Sequence, residues 1–158
     1  MHCDTISAIY HCRKKSGTKE PNLYENNLHL DLKKMKKSEY LLQNFALFVH
    51  LPSWENPLEA CLILADLYYR ELEANAELIL PVTKYSQILE NDSKRKMSAL
   101  LTVEEGGTTK GEVSYLRTLY RLGVRMLTLT WNYPNELGCP NAITKQGQET
   151  DWDGVNTE

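Results

Sequence analysis

No stretch of this 158-residue chain approaches the ~20 consecutive apolar residues that a membrane-spanning helix needs. No leader of basic, apolar and small residues precedes the opening MHCD, so the expected setting is the cytoplasm. Positive charge is not in excess: 18 Lys and Arg stand against 21 Asp and Glu, a net charge of −3. A chain with that balance has no general field for nucleic acid or an anionic membrane. Its one basic run, KKMKK at 33–37, reads as a solvated helix face. The four cysteines (Cys3, Cys12, Cys61 and Cys139) are far apart and form no CxxC pair. That argues against a zinc ribbon and thioredoxin-type chemistry, and reduced thiols are expected. GxSxG, Walker and GxGxxG patterns are missing as well, leaving serine hydrolase, P-loop and Rossmann readings without support.

What remains is 42% apolar and 25% charged residues, the mix of an ordinary globular domain, in a chain long enough for one core. A single domain over 1–158 is expected. Strands are expected at 2–6, 41–51, 98–104 and 125–131, with a further extended segment at 78–82. Between them come a weak helix at 8–15, a loop at 16–27, a short helix or turn at 31–40 and a strong helix opening at Pro57. In that strong helix Asn56 and Glu59 are spaced as a capping box, and Leu58, Cys61, Leu62, Ala65, Tyr68 and Leu72 recur on one face. A short helix is expected at 84–91. Thr109 and Glu112 are spaced as a second capping box, before a helix with Val113, Leu116, Leu119 and Leu122 inward and Gly123 ending it. From 132 to 158 the chain turns polar and reads as a long loop or frayed tail. The order β-α-β-α-β-α-β predicts an α/β fold with parallel strands.

Right-handed crossovers put the C-terminal ends of those strands on one side, where such folds place their chemistry. His2/Asp4, Glu104/Glu105 and Trp131/Asn132 fall at or near those ends. His2 and Asp4 are two apart, so on an extended strand both leave one face, and imidazole with carboxylate suits a borderline divalent metal. TVEEGG sets a carboxylate pair where a buried strand meets two glycines. It is a candidate metal bridge, or else a solvated acidic turn before a helix. His11, His29 and His50 show no second ligand spacing. Trp131 and Tyr133 pack or line a pocket.

Taken in order, these pieces resemble the membrane (renal-type) dipeptidase family of zinc peptidases. MHCDT resembles the family's H-x-D strand, and QNFALFV resembles its second strand. LTVEEGG followed by EVSYLRTLYRLGVRMLTLTWN resembles its E-G-G turn, L-R-x-L-Y-x-L-G helix and L-T-L-T-H strand. The resemblance implies a (β/α)8 TIM barrel, with this chain supplying about the first four βα units, the N-terminal half. It also implies two Zn2+ ions per complete site, with one or none expected here. His2 and Asp4 would bind the first metal, and one glutamate of TVEEGG would bridge both and serve in catalysis. The E-G-G motif selects Glu105, whereas the ungapped match from the following helix and the count along the strand select Glu104, the favoured choice. Trp131 stands where the family commonly has a substrate-holding histidine, so Trp131 and Asn132 are the candidate substrate contacts. The family's remaining zinc histidines come from later strands. The expectation is therefore a zinc-dependent dipeptidase hydrolysing dipeptides through a binuclear site, with the isolated 158 residues inactive. Two alternatives stand beside it: a non-catalytic half-barrel that forms a homodimer or binds a partner, and a related metal-dependent amidohydrolase with another substrate.

Overall fold

The computed structural model describes residues 2–141. The expected loop or tail at 132–158 therefore lies mostly outside the described residues. No helix among those described is long and apolar enough to cross a membrane. Five parallel strands form one sheet: β1 (His2–Cys3), β2 (Leu42–Phe48), β3 (Ile79–Val82), β4 (Met97–Glu104) and β5 (Met126–Thr128). The order runs β1-β2-β4, and the far edge of β4 is shared. There β3 lies beside Met97 to Leu100 and β5 beside Thr102 to Glu104. The extended segment at 78–82 is thus a strand of the sheet, and the four expected strands become five.

Helices α1 (Thr5–Ser16), α3 (Pro57–Glu73), α4 (Tyr85–Ser93) and α5 (Val113–Arg121) follow strands, and a short α2 (Leu32–Lys37) precedes β2. Parallel strands need such crossovers. Beneath α1 and α3 the core is dry: Ile6, Ile9, Leu64 and Tyr68 meet Phe45, Leu47 and Leu101, each at most 1% exposed. The Tyr68 hydroxyl donates to the Ala99 carbonyl at 3.0 Å, so the ring is buried without stranding its polar end. The long 17–31 connection is held from below. The Glu71 carboxylate pairs with Arg13 at 2.8 Å and accepts the Leu23 N–H at 2.7 Å, while Arg13 Nε donates to the Pro21 carbonyl. Asp31 caps α2, accepting the Lys34 N–H at 2.8 Å. Burial alone would raise its carboxyl, but the Lys34 hydrogen bonds and charge hold it below the usual range.

Several local expectations need correction. β1 stops at Cys3, because Asp4 leaves the extended region (φ −101°, ψ 23°) to start α1 at Thr5, three residues earlier than the weak helical pattern suggested. Neither capping box forms as read. Asn56 precedes α3 but makes no side-chain cap bond. Thr109 ends a 3-10 turn (Gly106–Thr109) and donates to the Gly106 carbonyl, leaving Glu112 to precede α5. On α3 Leu62 is 42% exposed, and Leu64 and Leu67 are buried instead. The inner face assigned to α5 also fails: Leu119 is buried, whereas Val113, Leu116 and Leu122 are exposed. A helical period shows that those residues share a side, not that anything covers it. Gly123 does carry a positive φ of 103° after α5, as expected.

Candidate metal centre

Register decides which side chains meet. Paired residues on neighbouring strands point to the same face. The pairs His2↔Asn44, Phe48↔Glu104 and Glu104↔Thr128 therefore put all five of these residues on one face of the sheet. Phe48, Glu104 and Thr128 lie at one level, the C-terminal end. The other face of β2 and β4 carries Phe45, Leu47, Leu101 and Val103 into the core.

At that end His2, Asp4 and Glu104 converge. His2 Nε2 lies 2.9 Å from Asp4 Oδ1 and 2.8 Å from Glu104 Oε2, and the three candidate ligand atoms fall within 4.8 Å of one another. Among the described residues this is the one group of three or more such side chains. His2 and Asp4 come together although Asp4 is not extended: the turn into α1, not strand alternation, points its carboxylate back at the imidazole. Glu104 arrives from 102 residues away, carried by the β1–β2–β4 pairing. Burial and the nearby Asp4 carboxylate push the Glu104 carboxyl above its ordinary range, and His2 draws it part of the way back.

The donor set fits a divalent cation. One Nε2–H cannot be given fully to two carboxylate oxygens at once. An imidazole nitrogen and two carboxylates are ordinary ligands for zinc. A cation would also relieve the repulsion between Asp4 and Glu104.

Glu105 goes elsewhere. Its backbone is at φ 140°, and its carboxylate is 1% exposed. Oε1 accepts the Gly107 N–H at 3.0 Å and the Asn135 side-chain amide at 2.5 Å. Asn135 in turn donates to the Leu129 carbonyl and accepts the N–H of Leu137. Glu105 thus clamps the loop that leaves β5 onto the Gly106–Gly107 turn.

Of the two candidate substrate contacts, Trp131 is half-buried and packs edge-on against Phe48, their ring centroids 4.9 Å apart. Asn132 is exposed to solvent. The sequence reading missed His50. Its Nδ1 lies 2.7 Å from Ser53 Oγ and its Nε2 3.1 Å from the Tyr133 hydroxyl, joining segments 83 residues apart. The sequence carries only the three-residue spacing of His50 and Ser53 as a signal, and that spacing is common.

Comparison with known proteins agrees with this architecture. The family model described as membrane dipeptidase (peptidase family M19) matches residues 1–158. The chain belongs to the membrane dipeptidase family. Solved structures share its fold. A metallopeptidase from Rhodobacter sphaeroides, liganded with a phosphinate mimic of the dipeptide L-Ala-D-Ala, matches at TM-score 0.75 and 16% identity, covering 87% of this chain and 46% of that one. Dipeptidase AC, described as an M19 metallopeptidase, matches at TM-score 0.72 and 17% identity over 87% of this chain and 44% of its own. An amidohydrolase from Pseudomonas aeruginosa matches at TM-score 0.62 and 19% identity over 68% and 32%. The chain thus spans less than half the length of these solved relatives. Its five parallel strands and covering helices form part of a membrane dipeptidase barrel, and the family supports a metallopeptidase activity.

Proposed function

We propose that this chain supplies the first half of a zinc-dependent, binuclear dipeptidase site. The observation that carries the reading is the convergence of His2, Asp4 and Glu104 at the C-terminal end of the sheet. In this reading His2 and Asp4 would hold the first ion, and Glu104, at the end of β4, would help to hold both. Two ions together would supply an activated water and polarisation of the scissile carbonyl. The described residues hold one such group, so ligands for the second ion have to come from beyond them. Hydrolysis of dipeptides by the native gene product tests this. The expected result is turnover that is lost on chelation and restored by zinc. A zinc-replete product that cleaves no dipeptide sinks the reading; if it cleaves other amides instead, the related amidohydrolase takes its place.

A homodimer is the second reading, favoured by one feature. At the far edge of the sheet Leu116, Tyr120 and Met126, each more than 40% exposed, help to line a groove of about 360 Å3, and Val113 and Leu129 are exposed as well. Beside this groove β5 ends the described sheet, and β1 ends it on the opposite side. Joining β5 of one copy to β1 of a second would cover the patch and close an eight-membered ring from β1, β2, β4 and β5 of each. Sedimentation equilibrium of the 158-residue chain at micromolar concentration is expected to give a mass twice that of the monomer. A monomer throughout the range rejects it.

A further inference from the structure

Four aromatic rings from two distant segments cluster at the C-terminal end of the sheet, next to the candidate metal centre through Phe48. Phe48 is paired in register with Glu104 and so shares its face and level. Trp131 stacks edge-on against Phe48 at 4.9 Å, and its ring lies 6.0 Å from His50 and 6.2 Å from Tyr133. His50 and Tyr133 meet edge-to-face at 5.3 Å as well as through their hydrogen bond. No residue of this group is fully buried, although the same strands bury Phe45 and Leu47 completely on the opposite face. The wall is therefore not simply core.

It is also held in place. Ser53 anchors the Nδ1 side of His50, Nε2 holds the Tyr133 hydroxyl, and the Glu105–Asn135 clamp fixes the loop a few residues beyond. A braced aromatic surface loses little freedom when a ligand packs against it. Phe48 and Trp131 offer mostly apolar ring surface, so the wall is suited to a side chain rather than to a charged terminus of a short peptide.

We propose that Phe48, Trp131 and Tyr133 form a specificity wall that receives a bulky apolar side chain of a dipeptide whose amide lies at His2, Asp4 and Glu104. His50 is a positioning residue that sets the wall through Tyr133. This rests on the dipeptidase reading and names its substrate class: dipeptides with one aromatic or large aliphatic residue. The alternative source of the wall's chemistry, packing against later parts of a longer chain, predicts no side-chain preference.

The test compares kcat/KM of the zinc-replete native gene product on Phe-Ala, Ala-Phe and Ala-Ala. The better Phe-containing substrate is expected to exceed Ala-Ala by roughly 10–100-fold, the scale of apolar pocket discrimination. In Trp131→Ala the ratio should fall below about threefold, with the change carried by KM and zinc content per chain unaltered. Tyr133→Phe keeps the ring but drops its bond to His50. It should lower the ratio part of the way and still bind zinc, so a misfolded Trp131→Ala would not stall the test. His50→Gln, able to hold the Tyr133 hydroxyl, should keep more of the ratio than His50→Ala. A wild-type ratio near one, or a high ratio unmoved in Trp131→Ala, overturns the wall while leaving the dipeptidase reading intact. Failure to cleave any of the three overturns the wall, and failure on dipeptides of every other composition as well overturns the dipeptidase reading with it.

Discussion

If the proposed zinc site is right, Glu104→Gln is expected to weaken zinc binding by more than the ~10–100-fold that loss of a mere supporting partner costs. The carboxylate supplies one of three candidate ligand atoms that lie within 4.8 Å of one another, and an amide oxygen is a poor substitute beside a cation. Glu105→Ala should behave in the opposite way. It removes the acceptor for the Gly107 N–H and the Asn135 amide, so about 1–3 kcal/mol of stability should go while zinc affinity stays within about threefold. Titration of each variant with zinc against a competing chelator, alongside urea unfolding, separates the two roles. Zinc loss in Glu105→Ala with retention in Glu104→Gln would reverse the assignment and select the glutamate next to Gly106.

Gly106→Ala should cost about 3 kcal/mol or more, the upper end of what overpacking a tight site does. A Cβ there would sit 2.3 Å from the Leu129 carbonyl oxygen and 2.7 Å from Leu137 Cδ1. The carbonyl is backbone, so it cannot swing aside; the exit from β5 must move, and Trp131 with it. Gly107→Ala meets mainly the side chain of Leu51 at 3.1 Å and Cβ of Asn135 at 3.2 Å, contacts that can give by a few tenths of an ångström. Urea unfolding should therefore rank the two, with Gly106→Ala far the worse. Equal stability of the two variants would mean that the turn and the β5 exit are not packed as the geometry requires.

Much of this arrangement is legible in the sequence, because its causes are local. Pro57 and the apolar spacing beyond it mark α3, and the largely apolar run at 98–104 marks β4 as a buried strand. The MHCDT, QNFALFV, TVEEGG and LRTLYRLGVRMLTLTWN segments carry the family resemblance. The two capping boxes do not form because Thr and Asn side chains at such spacing compete for several turn geometries, and Thr109 bonds the Gly106 carbonyl of its own turn. The role of His50 is not legible in the sequence, because its partners, Ser53 and Tyr133, are ordinary polar residues until the fold brings the two segments together.

By itself the sequence determined the α/β class, the parallel order of strands, the family, and the short set of residues able to hold a metal. Tertiary structure decided which of them meet. Glu104 rather than Glu105 reaches His2 because register with β2 puts it on the same face, whereas the positive φ at the next residue turns Glu105 into the β5 exit loop. Tertiary structure also decided that the apolar side of α5 lies open while that of α3 is buried. Periodicity records which side chains point together; only packing across the chain determines what they point at.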